Sequence, residues 1–355
     1  MKKLILLLSK LIYFTLDLII PKKDIYVFTS KDGKNYKGNI KYLHIYFSKE
    51  SLKESYFIHN PYTLKSLVLL LRAKYIFLSH GAGDISYAFN SPRKTITYVG
   101  HGITIKKMLF EQRAIPNRVN FIMNAIESRF YKNIIASSEV DAKNLELVFK
   151  KRKETIRITG LPRNDHLKSS KMPSEIFKRD GNYILYAPTY RQDEQTKFLD
   201  IIPLTDLNDA LRATNSYLCI RFHPNETLDM SIFKPFSNIL DASSKILKET
   251  QEYLFNFDGL ITDYSSIYID FLLADKPIAF YPYDLEAYEE KQGLFFDYKN
   301  ISPGITLDSK GSIYTFLKST SDGHDNFKSE RKRVKSLFYK YTDSSACKRI
   351  LEVFE

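Results

Sequence analysis

Short runs of branched and aromatic residues alternate with helical stretches along this chain, and that alternation limits the fold more than any other feature. The strand-like runs cover 25–29, 75–79, 95–99, 133–136 and 156–159, then 183–187, 217–222, 259–262 and 277–281. Helical patterns at 62–72, 117–130, 140–149, 204–213, 247–256 and 267–274 fall between them. A strand, a helix and a further strand make a crossover unit, and repeated crossovers build parallel sheets. A chain of 355 residues has room for two such domains at roughly 100–200 residues each. The polar stretch at 168–174, with Ser169, Ser170 and Pro173, is the expected linker. Open parallel sheets bind ligands at the carboxyl ends of their strands, so residues just after the strands are the candidates for function.

Composition narrows the partners. Lys and Arg number 53 against 41 Asp and Glu, a formal charge of +12, which suits a polyanion: nucleic acid, anionic lipid or a phosphate-rich substrate. Nucleic acid is the poorest of these, because no helix-turn-helix, zinc-finger or RNP pattern occurs. Cys219 and Cys347 lie far apart and form neither a disulfide framework nor a CxxC metal site. No Walker A, GxGxxG or HExxH sequence occurs. Neither a metal nor a cofactor is expected.

Residues 4–20 are mostly apolar but interrupted by Lys10 and Asp17, and Pro21 ends the run. A spanning helix needs about 20 predominantly apolar residues. No small-residue cleavage site follows, which argues against a signal peptide. Lys3, Lys10 and Asp17 recur every seven residues and form one narrow polar stripe on a helix. A buried first helix and a helix lying in a membrane interface both fit. The flanking Lys2, Lys3, Lys22 and Lys23 favour the interface.

Several strand ends carry unusual residues. Gly100-His101-Gly102-Ile103-Thr104 follows one strand, and a histidine between two glycines can approach a substrate and exchange a proton near neutral pH. Gly160-Leu161-Pro162-Arg163 is a rigid turn that aims a guanidinium suited to phosphate; a solvated loop arginine is the plain alternative. Pro188-Thr189 follows the strand at 183–187, and Arg221-Phe222-His223 ends the next one. Ser265 and Ser266 precede an apolar helix carrying Asp270, where free N–H groups and hydroxyls suit a phosphate; simple helix capping would also account for a serine there.

In order along the chain, these motifs are similar to those of the CDP-glycerol glycerophosphotransferase family, the teichoic-acid primases and polymerases and their capsule-synthesis relatives. The resemblance runs from Phe28-Thr29-Ser30 through His101-Gly102, Gly160-Leu161-Pro162-Arg163-Asn164-Asp165, Tyr186-Ala187-Pro188-Thr189-Tyr190-Arg191 and Arg221-Phe222-His223-Pro224 to Asp258-Gly259-Leu260-Ile261-Thr262-Asp263-Tyr264-Ser265-Ser266. It ends at Tyr341-Thr342-Asp343-Ser344-Ser345. The Thr-Asp-Tyr-Ser-Ser run is its most specific part. One departure is that Ile103-Thr104-Ile105-Lys106 stands where the family has Thr-Pro-Leu-Lys.

The resemblance implies a GT-B-like α/β fold, with two Rossmann-like domains of parallel sheets and a cleft between them. It suggests an interface helix at 1–23, an acceptor domain at 24–168, a CDP-donor domain at 175–325 and a C-terminal helix at 326–355 crossing back to the first domain. It further implies transfer of glycerol phosphate, or a related alditol phosphate, from a CDP-alditol such as CDP-glycerol to a hydroxyl of a lipid-linked or polymeric saccharide, releasing CMP. The protein would act peripherally on the anionic cytoplasmic face of the membrane. His101 would be the general base and His223 a partner for phosphate or for leaving CMP. Gly100, Gly102, Ile103, Thr104, Arg163, Pro188, Thr189, Arg221, Phe222, Ser265, Ser266 and Asp270 would line the donor site. A nucleotide-sugar glycosyltransferase and a non-catalytic membrane assembly protein of the same fold are the rival expectations.

Overall fold

The computed structural model describes residues 2–88, 90–113, 118–169, 176–189, 200–222 and 230–355, with main chain only at 2–7, 168 and 169. His223 and most of the expected linker therefore lie outside the described residues. The chain divides into two compact units. The first holds Met1–His166, Glu290–Phe295 and Leu337–Glu355; the second holds Leu167–Glu289 and Phe296–Ser336.

Unit 1 is built on a six-stranded sheet of β1 (Lys23–Thr29), β2 (Ser55–Phe57), β3 (Ala73–Leu78), β4 (Thr95–Tyr98), β5 (Tyr131–Ala136) and β6 (Ile156–Ile158). Their order is β2-β1-β3-β4-β5-β6 and every pairing is parallel. Chain direction across the sheet reverses at β1/β3, so the loops after these strands flank a natural ligand position. Helices α1 (Lys2–Ile19), α2 (Gly38–Glu50), α3 (Leu64–Arg72), α4 (Arg118–Ser128) and α5 (Glu139–Phe149) belong to this unit. The central strands are buried on both faces over most of their length, which is why they read as continuous apolar runs rather than alternating ones.

Unit 2 repeats the plan with β7 (Asn182–Tyr186), β8 (Ser216–Ile220), β9 (Ile239–Asp241), β10 (Gly259–Thr262), β11 (Ile278–Phe280) and β12 (Ile305–Thr306). The order is β9-β8-β7-β10-β11-β12, again all parallel. Renumbered within the unit this is 3-2-1-4-5-6, the order of dinucleotide-binding doubly wound sheets, with its switch point between β7 and β10.

The sequence at 326–355 forms two helices rather than one, Lys328–Phe338 and Ala346–Glu352. The second is anchored within unit 1 by Asp165, whose carboxylate accepts the Ala346 and Cys347 N–H groups at 3.0 and 2.8 Å. An acid at a helix start satisfies orphan donors and complements the dipole. The helix expected at 247–256 is only one turn, Thr250–Tyr253, followed by a 3-10 turn at Leu254–Asn256.

Helix α1 has its polarity inverted. Lys10, Tyr13 and Asp17 are buried against the protein, while Leu8, Leu11, Ile12 and Ile19 are at least half exposed. Lys10 and Asp17 of the predicted polar stripe thus face inward, while the Lys3 side chain lies outside the described residues. Asp17 accepts from Lys22 and Lys94, each at 2.7 Å, and from the Ser91 N–H at 2.8 Å. Burial alone would raise the Asp17 pKa, but the two ammoniums and their hydrogen bonds hold it below the usual carboxylate value. Lys94, fully buried and sharing that carboxylate with Lys22, is itself pushed down to about 8 by burial. Both shifts fit one arrangement, in which a single carboxylate serves two cations. Removing it strands buried charge, so Asp17→Ala should destabilise the protein by about 3 kcal/mol, read as a lowered midpoint in urea unfolding.

Candidate active site

The loops after β1, β3 and β4 meet at the carboxyl edge of the first sheet. Asp84, with no exposed surface, joins the first two of them. Its Oδ1 accepts the Lys31 N–H at 2.8 Å, and its Oδ2 accepts the Ser79 and His80 N–H groups at 2.6 and 2.8 Å. The result sets the His80 ring against the His101 ring, stacked at 4.5 Å between centroids and 5° between planes.

The hydrogen bonds define which nitrogens carry protons. His101 Nδ1 lies 3.3 Å from the Ser79 carbonyl oxygen, which can only accept, so Nδ1 carries the proton and Nε2 keeps a lone pair. His80 Nδ1 is 2.7 Å from Ser79 Oγ and 3.6 Å from the Asp84 carboxylate, which favours the same tautomer. The His101 pKa is pushed down to about 4, first by the protein surrounding the ring, then by His80, with Arg163 adding to the effect. By accessible surface the residue is exposed, so the imidazole stands in the wall of an open concavity, reachable from solvent. Such a cavity of about 320 Å³ lies within unit 1, with both histidines in its lining. At neutral pH His101 is an uncharged acceptor, the form required of a general base.

The His101 loop is held firmly. Gly100 adopts φ +63°, a conformation open to glycine. Asn39 donates through Nδ2 to the Val99 and Gly100 carbonyls and accepts the Arg163 N–H at Oδ1. Arg163 is 4% exposed, and its Nη1 donates to the His101 carbonyl at 2.5 Å. Its described contacts therefore make it a support for the histidine loop. Ile103 and Thr104 are buried, and the Thr104 main chain is tied to Asp141 at 3.2 Å and to Asn144 at 2.9 Å. The departure Ile103-Thr104-Ile105 thus fills the base of the loop with apolar side chains. Beyond it, Lys106 pairs with Leu294, and Gln292 Nε2 donates to the Lys107 carbonyl at 2.9 Å. Segment Glu290–Phe295 joins unit 1 through these contacts, which no local pattern announces.

In unit 2 the expected residues gather at the switch point. Thr189, just after β7, donates from both N–H and Oγ1 to Asp263 Oδ1 at 2.8 and 2.7 Å. Thr262 Oγ1 donates to the Ala187 carbonyl at 2.7 Å. Pro188-Thr189 and Asp263 to Ser266 are thereby locked side by side. Ser266 precedes the short helix Ile267–Phe271, yet neither Ser265 nor Ser266 makes a side-chain hydrogen bond among the described residues. Asp270 is buried. Arg221 follows β8; its Nη1 donates to the Ala242 and Leu247 carbonyls at 3.0 and 2.6 Å, leaving Nε and Nη2 without a hydrogen bond among the described residues. Burial lowers its pKa to about 10, partly offset by Asp241, so it stays charged. Phe222 packs edge-on to Tyr186 at 5.9 Å. Among the described residues no cluster of His, Cys, Asp and Glu could hold a metal ion.

Asp84, His80, Asn39 and Asp263 were not singled out as site residues from the sequence. Their signal was positional, since three of them sit at or just past strand ends flanking the two switch points.

The architecture is that of the GT-B-like α/β proteins. The solved structure of the wall teichoic acid polymerase TagF superposes with a TM-score of 0.80 at 19% identity, covering 99% of this chain and 94% of that one. The Staphylococcus aureus MnaA-UDP co-structure follows at 0.59 and 13%, covering 93% and 95%. A family model described as CDP-Glycerol:Poly(glycerophosphate) glycerophosphotransferase matches residues 12–355, and the chain belongs to this family. A teichoic acid glycerol-phosphate transferase of Staphylococcus aureus (strain NCTC 8325 / PS 47) is 25% identical over 98% of this chain and 97% of its own length. A teichoic acid poly(glycerol phosphate) polymerase of Bacillus spizizenii (strain ATCC 23059 / NRRL B-14472 / W23) is 28% identical over 65% of this chain and 63% of its own length.

Because Asp84 satisfies three amide groups at once, Asp84→Ala should lower stability by about 3 kcal/mol. It should also release the His80 and His101 rings, visible as loss of their mutual ring-current shifts in NMR spectra.

Proposed function

We propose that this protein is a glycerophosphotransferase that moves glycerol phosphate from CDP-glycerol to a saccharide hydroxyl during synthesis of a teichoic-acid-like surface polymer. Family membership supports the reaction class, and a TagF variant has been examined with CDPG. The observation that carries the mechanism is His101, neutral and oriented, with Nε2 unoccupied by any described hydrogen bond.

In this mechanism the acceptor O–H gives its proton to His101 Nε2 as its oxygen bonds to the β-phosphorus. The bond from that phosphorus to the bridging oxygen breaks, and CMP leaves with the bridging oxygen and its electron pair. His101 then passes the proton to solvent. The chain's contribution is positioning and charge stabilisation. Arg221, with two nitrogens open, suits the diphosphate, as do the Ser265 and Ser266 hydroxyls beside Thr189. His223 would join them there. Arg163 acts by holding the His101 loop. Ribitol-phosphate enzymes also occur among the relatives, so CDP-ribitol is the alternative donor.

The acceptor is proposed to be membrane-linked. Helix α1 turns Leu8, Leu11, Ile12 and Ile19 outward, the polarity expected of a helix seated in a lipid interface. Among the described residues no helix is long and apolar enough to cross a membrane. The net charge of +12 suits an anionic surface. Leu11→Glu with Ile12→Glu should move the protein from anionic vesicles to the supernatant on sedimentation; unchanged pelleting would refute the docking role.

CMP release from CDP-glycerol with membrane extract as acceptor is the direct assay, and His101→Ala should reduce it by about 10²–10⁴-fold. UDP release from a UDP-sugar, with none of CMP, would instead indicate a glycosyltransferase. The base works only unprotonated, and its pKa is depressed. Activity should therefore persist as pH falls through the ordinary histidine value of about 6.5, and be lost only toward pH 4. An acid limb in kcat/KM at 6.5 or above would contradict this.

A further inference from the structure

Among the described residues, the lining of the 320 Å³ cavity beside His101 contains no Lys, Arg, Asp or Glu, although the chain carries 94 such residues. It is walled by Tyr98 and Tyr131, 6% and 3% exposed, whose rings stack at 5.6 Å. No hydrogen bond from either hydroxyl is described, which leaves both open to a molecule in the cavity. The Tyr131 hydroxyl comes up beneath Gly81, where a β-carbon would lie 2.9 Å from it. Gly81 therefore keeps this space open, and its φ of +82° suits glycine alone. Phe121, Phe149 and Met108 supply apolar surface, and Gln112 adds an amide with no described hydrogen bond.

Resting on the reading of His101 as the base, we infer that this cavity is an acceptor subsite that seats a neutral saccharide ring and presents one of its hydroxyls to His101. The lining has the two components such a ring needs. Aromatic faces pack against its C–H surface, and buried hydroxyls and an amide pair with its O–H groups. The volume is at the small end of the roughly 300–1,000 Å³ of small-molecule sites, the size of a ring rather than an extended chain. A phosphodiester would enter without a lysine or arginine to meet it, since none lines the cavity among the described residues. The acceptor hydroxyl therefore belongs to a sugar whose phosphate-bearing part, if any, stays outside the cavity.

The test uses the full-length enzyme, CDP-glycerol and defined acceptors. These are octyl β-glucoside, octyl N-acetyl-β-glucosaminide and octyl β-galactoside, against octyl phosphoglycerol, whose hydroxyls lie beside a phosphodiester. Failure to release CMP with any of these or with membrane extract sinks the reaction reading, and this proposal with it. Given CMP release, at least one neutral glycoside should exceed octyl phosphoglycerol by tenfold or more in kcat/KM. Tyr98→Phe and Tyr131→Phe, which keep the rings, should each raise the KM for that glycoside three- to tenfold relative to the KM for CDP-glycerol. Thermal unfolding of both variants separates this from a loss of folding. Octyl phosphoglycerol matching every glycoside, or a KM ratio unmoved in both tyrosine variants, would overturn the subsite while leaving the transferase reading intact.

Discussion

The hydrogen bonds to one buried carboxylate set the geometry of the first unit. Asp84 draws in the N–H groups of Lys31, Ser79 and His80, and in doing so fixes the ends of two adjacent strands. From that follow the position of the Ser79 carbonyl, the tautomer of His101 and the stacking of the two imidazoles. A hydroxyl or amide in place of the carboxylate could not accept so many N–H groups at once. The second unit uses the same device with another acid, since Asp263 binds both donors of Thr189 across its own switch point. Each sheet thus has an aspartate joining the loops where its strand order reverses.

Helix α1 shows how burial can oppose composition. Lys10 and Asp17 are inside, Asp17 paired with two lysines, while Leu8, Leu11, Ile12 and Ile19 are outside. In water that arrangement is costly on both faces, because charge is desolvated and hydrocarbon exposed. Against lipid the second cost becomes a gain. The Asp17–Lys22–Lys94 cluster then acts as an adhesive that holds the helix to the protein without using the apolar face.

The central strands of both sheets were legible because buried parallel strands are continuous apolar runs, as at 259–262. The edge strands Ser55–Phe57, Ile239–Asp241 and Ile305–Thr306 were not, being two or three residues long and only partly buried. Helix α2 was missed because its buried Ile40, Leu43 and Phe47 are diluted by polar and aromatic neighbours. His101 stood out through its flanking glycines. His80 lies in a second strand-end histidine loop, His80-Gly81-Ala82-Gly83-Asp84, that reads as structural from sequence, since its role depends on a stack formed across 21 positions and on an acid four residues later. Arg163 shows the opposite case: a guanidinium after a rigid turn suits phosphate, but which carbonyl it meets depends on tertiary contacts.

The central claim is that His101 is neutral and oriented, with its proton on Nδ1 and its lone pair on Nε2. Heteronuclear NMR of histidine-labelled protein, with His101→Gln for assignment, reads both properties directly. The account predicts a protonated Nδ1, an unprotonated Nε2 at pH 7, and a titration midpoint well below 6.5. A proton on Nε2, or a midpoint at or above 6.5, would contradict it.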